Sequence, residues 1–316
     1  MQLNSKTILI LIFAIGVYVI FVVISDLSLL YQNFENLDFR YIPISLGLVF
    51  LSYFIRSLRW NMLLKSIKIE IPLKESIKIF FAGLGLGITP GKFGEVIKSH
   101  FLKRDYNYSI SKTAPVIFIE RYYDLVGIVT VSVLSSLFIV GESKTMLVVS
   151  VILVISLLIV SRQKKVVLSI LKLIEKTPIL KKIFSNSLES YDTIISLTSI
   201  KSFSKSSILS ILSWFLEAVA AFLIFLAFDI PLDFPLVIFI FTILSIIGAL
   251  SMLPGGLGST EGGMIGLLIL QNVDYTSAFS VVLLVRIVTL WFSVFIGLIA
   301  LKKIAKNSDT SNNKNS

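Results

Sequence analysis

The sequence predicts an all-α polytopic membrane protein, with about six full spans and two oppositely oriented re-entrant helical hairpins arranged as an inverted repeat. Three observations carry that prediction. Of 316 residues, 55% are hydrophobic and 15% charged, against roughly 45–50% and about 25% in soluble domains, and the mean hydropathy is +0.91. Several stretches run uncharged for the roughly 17–25 residues that cross a bilayer as helix. Two otherwise apolar segments are broken by similar turns, Pro90-Gly91-Lys92-Phe93-Gly94 and Pro254-Gly255-Gly256-Leu257-Gly258. A soluble globular protein is excluded.

Residues 7–25 form the first span: 19 uncharged residues, longer than a signal-peptide core and closed by no small-x-small cleavage site. The loop after it carries Asp26, Glu35, Asp38 and Arg40. Span 2, residues 41–64, holds Arg56 and Arg59 in its last third and runs into Lys65, Lys68, Lys74 and Lys78. Lys and Arg favour the cytoplasmic side, so the N-terminus lies inside and span 2 runs inward. Residues 78–104 follow, broken at 88–94, with arms of about 10–14 residues that are too short to cross. Both ends are basic, which makes the segment a hairpin entering from the inside. Irregular backbone at such depth needs protein or a wet cavity around it.

Span 3 covers residues 113–140, with Glu120, Arg121 and Asp124 in its inner half, and span 4 covers 145–160. Residues 162–205 hold nine Lys and Arg against three acids, with Val167, Ile170, Leu171 and Ile174 at helical spacing. They read as amphipathic helices on the inner leaflet. Span 5, residues 206–228, carries Glu217 near its middle. The second broken segment, 234–270, is read as a hairpin from the outside. Residues 234–253 are long enough to cross alone, but that would force the 13-residue arm after them across too, or put the basic tail outside. Span 6, residues 276–301, returns inside to Lys302, Lys303 and Lys306. Residues 1–306 thus form one membrane domain, and the polar residues 307–316 a disordered tail.

The two turns are offset by 164 residues, and each is followed by an acid, Glu95 or Glu261, and then by a span bearing an arginine, Arg121 or Arg286. Repeat 1, about 41–140, and repeat 2, about 206–301, have opposite orientation by the charge argument. Paired Gly/Pro-interrupted segments in such a repeat point to a transporter's binding site. Where the second arms restart after Gly94 and Gly258, unpaired N–H groups carry partial positive charge. With Lys92, and with Gly91 and Gly256 allowing close backbone approach, they would cradle a phosphate.

Lys92, Glu95, Glu120, Arg121, Asp124, Glu217, Glu261 and Arg286 all fall within spans or hairpins. Each costs roughly 2.5–3.5 kcal/mol at a helix centre, so they pair or line a wet cavity. Three cations against five acids leave two acids over, protonated or facing a cationic group. Glu120, Arg121 and Asp124 share a helix region and read as a structural or gating ion cluster. Glu217 and Glu261 lack a sequence-local cation; with Glu95 they are candidates for ion coupling or head-group contact. Arg286 is either their partner or a direct phosphate ligand.

The net charge of +10 fits cytoplasmic loops facing anionic lipid rather than nucleic acid, because the basic residues flank spans. With no cysteine and one histidine, His100, near the inner end of a hairpin arm, thiol chemistry and Cys/His zinc sites are excluded. No cofactor or metal is implied.

These motifs resemble the flippase-like family of lysylphosphatidylglycerol synthase transmembrane domains. The resemblance rests on residues 89–95, on Glu120-Arg121 with Asp124, on residues 254–258 with Glu261, and on the basic patch 56–60 that ends span 2. It implies a membrane domain that moves a lipid between leaflets. Bacterial relatives are fused to a domain that attaches an amino acid to phosphatidylglycerol, and archaeal ones stand beside or are fused to glycosyltransferases. About 15 residues follow span 6 here, so aminoacyl transfer is not expected of this chain.

The leading expectation is therefore a non-enzymatic flippase for an anionic phosphate-headed lipid, phospholipid or polyprenyl-phosphate-linked, in the cell membrane with both termini cytoplasmic. Its partners would be membrane lipids and a separate synthase or glycosyltransferase. The alternatives are an intramembrane transferase using Glu120, Asp124 or Glu261 as general base, or a lipid-binding scaffold recruiting a synthase through residues 162–205.

Overall fold

A computed structural model describes residues 5–139, 163 and 187–312. Every regular element among them is helical. In chain order they are α1 (Ser5–Ile24), α2 (Leu27–Glu35), α3 (Tyr41–Ser66), α4 (Leu73–Leu84), α5 (Ile97–Tyr106), α6 (Ile110–Ser136), α7 (Ser187–Leu197), α8 (Ile200–Ala227), α9 (Phe234–Leu250), α10 (Ser259–Leu270), α11 (Tyr275–Arg286) and α12 (Phe292–Asn312). Tight turns at Pro90–Val96 and Pro254–Gly256 break the two hairpins, and a wide π turn, Ile287–Trp291, joins α11 to α12. Helix starts fall where side-chain oxygens meet free N–H groups. Asp26 accepts from Ser28 and Leu29, Ser109 from Lys112, Ser199 from Ser202, and Asp274 from Ser277.

Among the described residues, three helical stretches are long and apolar enough to cross a membrane: Tyr41–Ser66, Ile200–Ala227 and Tyr275–Ile304. A fourth counts if Ile15–Ile24 and Leu27–Glu35, bent by 103°, form one span. The 27-residue length of α6 is ample, but the buried charges Glu120 and Asp124 dilute its apolar character. Span 4 lies outside the described residues, as does most of the segment 162–205. Its described part includes α7, which packs on α6: Ser190 donates to Ser111 O at 3.1 Å, and Tyr123 Oη donates to Leu197 O at 2.7 Å.

Several boundaries differ from the sequence reading. The first hairpin starts at Leu73, five residues early, because Pro72 closes the preceding loop and starts the helix. The long helix α8 starts at Ile200 rather than 206, since Ser199 supplies its cap. Helix α9 is 17 residues, about 25 Å, short of the roughly 30 Å hydrocarbon core. The last helix continues to Asn312, past the start of the expected disordered tail.

Helices α3 and α8 run antiparallel along a seam of small hydroxyl residues. Ser45 Oγ donates to Ala220 O at 3.1 Å, and Ser66 faces Ser202 at the other end. Helix α6 also closes on α8: a Cβ at Gly127 of α6 would come within 2.7 Å of the Ser210 backbone. Large apolar side chains such as Ile20, Ile208, Leu270 and Phe295 point outward and are exposed, which in a bilayer is the lipid-facing surface.

Candidate functional site

The two Pro-Gly turns meet. A Cβ on Gly91 would lie 3.3 Å from Met252 Sδ of the second break, and one on Gly255 would lie 3.2 Å from Ile88 Cγ1 of the first. Both turns use left-handed backbone at equivalent places: Gly91 and Lys92 have φ of 58° and 56°, Gly255 and Gly256 of 61° and 67°. Lysine therefore stands where the second turn has glycine, at a steric cost of roughly 1–2 kcal/mol. Strain of this kind collects at functional sites.

The N–H groups expected to be free are partly engaged. Gly94 N donates to Thr89 Oγ1 at 2.7 Å, and Gly258 N to Glu261 Oε2 at 2.8 Å. The first arm restarts as regular helix at Ile97, not directly after Gly94. Glycine at 94 and 256 serves packing rather than ligand approach. A Cβ on Gly94 would meet Leu86 O at 2.5 Å, and one on Gly256 would meet Thr260 Oγ1 at 2.8 Å. Gly258, at φ +85°, alone among the four candidate glycines has open space where a Cβ would stand.

Glu261 is buried beside Arg286, whose Nε donates to Oε1 at 2.7 Å and whose Nη2 donates to Gly255 O at 2.5 Å. Tyr18 Oη of α1 donates to the same carboxylate at 3.2 Å and accepts from Trp291 Nε1 at 3.1 Å. Of the two roles open to Arg286, the geometry shows the first: it is the partner of Glu261.

The larger network lies between α3, α5, α6 and α8. Lys98 Nζ bridges Glu95 at 3.0 Å and Glu120 at 2.5 Å, beneath the Trp60 ring. Arg121 reaches Glu95 at 3.3 Å and Asp124 at 3.1 Å, and Arg59 reaches Asp124 at 2.8 Å and also contacts Ser210. Arg56 pairs with Glu217 at 2.6 Å under the Trp214 ring, and Ser52 Oγ donates to the same oxygen at 2.8 Å. Glu217 thus has a cation after all, supplied by the neighbouring helix.

Lys92 is different. Its ammonium makes no hydrogen bond or ion pair among the described residues, and the charged group acting most strongly on it is Arg121, repulsively. Arg121 is itself about a quarter exposed, with its Nε lacking a hydrogen-bond partner among the described residues. Lys92 at the tip of the first hairpin and Arg121 of α6 are thus neighbouring cations, the first without an ion pair among the described residues, an arrangement of the kind that suits an anion.

The charge balance inverts the sequence reading. Arg56, Arg59 and Lys98, counted there with the basic rims, are buried at 4%, 0% and 0% exposure. With them, among the described residues, six cations face five carboxylates and no acid is left over. The signal was present in the pattern. Ser45, Ser52, Arg56 and Arg59 fall at steps of seven, four and three, one face of α3, and Lys98 follows Glu95 by three. His100 is exposed and takes no part.

A sequence-family model described as the lysylphosphatidylglycerol synthase TM region matches residues 9–297. The chain belongs to that family. It is similar to a UPF0104 membrane protein of Methanocaldococcus jannaschii, 28% identical over 70% of this chain and 94% of the relative. It is also similar to one of Pyrococcus horikoshii, 27% identical over 85% and 88%. A UPF0104 membrane protein of Methanothermobacter thermautotrophicus is 41% identical over a shorter stretch, 29% of this chain and 28% of the relative. The family membership and the apolar spans make the chain an integral membrane protein.

Proposed function

We propose that the chain is a lipid translocase that moves a phosphate-headed anionic lipid between leaflets of the cell membrane. The observation that carries this reading is Lys92: an ammonium with no hydrogen bond or ion pair among the described residues, on strained backbone, at the point where two broken helices meet. The head group would sit against Lys92 and Arg121, near the open face of Gly258, while the hydrocarbon chains stay in lipid.

Internal symmetry supports an inverted repeat. In each half the acid after the Pro-Gly turn is paired with the arginine of the following span, Glu95 with Arg121 and Glu261 with Arg286. The spans that lead into the two halves, α3 and α8, pair antiparallel, as they would if one half were inverted relative to the other. Rocking of one half against the other would expose the site to either leaflet. Six spans with both termini cytoplasmic complete the reading, and a separate synthase or glycosyltransferase would supply the lipid.

The transferase alternative is disfavoured by the same contacts. Each carboxylate offered as general base is held in an ion pair: Glu120 by Lys98, Asp124 by Arg59 and Arg121, Glu261 by Arg286. The test is leaflet exchange of fluorescent lipids in liposomes containing the purified chain. Acceleration over empty liposomes is expected for an anionic phospholipid; no acceleration for any of several lipid classes would overturn the proposal.

A further inference from the structure

We infer that the site takes a head group with a single net negative charge, the phosphodiester monoanion, and disfavours both zwitterionic and multiply charged head groups. The inference rests on the head-group reading above and adds its charge class. It follows from the count of ions around Lys92. In the larger network, Arg56, Arg59, Lys92, Lys98 and Arg121 face Glu95, Glu120, Asp124 and Glu217, so five cations meet four carboxylates. The remaining buried pair, Glu261 with Arg286, is neutral by itself.

The surplus is one positive charge, and it is localised. Every other cation of the network has a carboxylate within 3.3 Å, whereas Lys92 has none among the described residues. Uncompensated charge at membrane depth is costly. A monoanion seated on Lys92 brings the network to neutrality. A zwitterion carries its own cation to a place where Arg121 already repels Lys92. A head group with a monoester or pyrophosphate in addition brings more negative charge than the network can match, next to the buried carboxylates of Glu95 and Asp124.

The backbone adds a second, independent observation. The equivalent position of the other turn is Gly256, with φ of 67° against 56° at Lys92. A left-handed position favours glycine, yet here it bears a long cationic side chain whose ammonium makes no hydrogen bond or ion pair among the described residues, with Glu95 and Asp124 acting on it only at longer range. A bound anion would give that ammonium the direct partner it lacks among the described residues.

The experiment is native mass spectrometry of the purified full chain at neutral pH. The probes are phosphatidylglycerol, phosphatidylethanolamine and phosphatidylinositol 4-phosphate with matched acyl chains. Phosphatidylglycerol is expected to bind at least tenfold more tightly than either of the others. Lys92→Arg keeps that order. Lys92→Gln neutralises the network and is expected to reverse the preference between phosphatidylglycerol and phosphatidylethanolamine. Equal binding of these two lipids by the unaltered chain, or an unchanged order in Lys92→Gln, overturns the inference. Leaflet exchange is read separately on the same lipids. The expected binding order without exchange removes translocation and keeps the charge class; exchange without head-group preference does the opposite.

Discussion

Arg286 and Glu261 are locked by a 2.7 Å hydrogen bond from Nε to Oε1, with the second carboxylate oxygen capping the N–H of Gly258. One residue pair thereby fixes the last long span to the tip of the second hairpin, and Gly255 O completes the clamp by accepting from the same guanidinium. The pair has a counterpart in Arg121 and Glu95 at 3.3 Å.

Because both partners are buried, removing one strands the other. Arg286→Met is expected to destabilise by about 3–5 kcal/mol, while Arg286→Met with Glu261→Gln recovers much of the loss. Thermal unfolding of the three proteins in one detergent, compared as a double-mutant cycle, checks this. A double variant no more stable than Arg286→Met would refute it.

Lys98 lies wholly buried between two carboxylates. Lys98→Met leaves Glu95 and Glu120 facing each other without their shared cation, and a loss of about 3–5 kcal/mol is expected. Adding Glu120→Gln should restore part of it, again read from unfolding temperatures.

Helices α4 and α12 cross at two glycines. A Cβ on Gly297 would run into the backbone N of Gly85, whereas one on Gly47 meets nothing within 4 Å. Gly297→Ala is expected to cost about 1–3 kcal/mol by overpacking, and Gly47→Ala to gain about 0.5–1 kcal/mol from helix propensity. Opposite shifts in unfolding temperature are the diagnostic result.

Lys92→Gly removes a side chain from left-handed backbone and is expected to stabilise the chain by about 1 kcal/mol while weakening binding of anionic lipid. A variant that is both more stable and less able to bind separates a strained functional residue from a structural one.

Orientation can be read directly, since the chain has no cysteine to interfere. Asn36→Cys, Asp233→Cys and Gln271→Cys are expected to react with a membrane-impermeant thiol reagent from outside. Lys65→Cys, Lys103→Cys and Lys302→Cys, all at exposed positions, are expected to react only after permeabilisation.

Much of this architecture was legible in the residues. Long apolar runs marked α1, α3 and α8, and the Pro-Gly turns at 90 and 254 marked where the hairpins break. The ion pairs were harder to see. Glu217 looked unpartnered because its cation, Arg56, stands 161 residues away on another helix and was read as part of a cytoplasmic rim. Positive charge near the end of a span signals orientation and burial alike, and only the face it occupies separates the two. The polar stripe from Ser45 to Arg59 was that indicator. Thr89 was equally silent, since a hydroxyl that caps Gly94 from five residues back makes no periodic pattern.

The π turn directly after Arg286 holds one residue more than a regular helical turn, and Tyr53 Oη steadies it by donating to Thr289 O at 2.8 Å. Single-turn insertions of this kind gather at functional sites. Shifting it to the N-terminal side of Arg286 would swing that side chain by about 100°, withdrawing its guanidinium from Glu261 and releasing the turn at Gly255. Deleting Val288 would remove the slack. The resulting straight rod should stay folded by circular dichroism yet hold its arginine in one fixed bearing, and a deletion variant that still exchanged lipid at full speed would show that the span needs no such play.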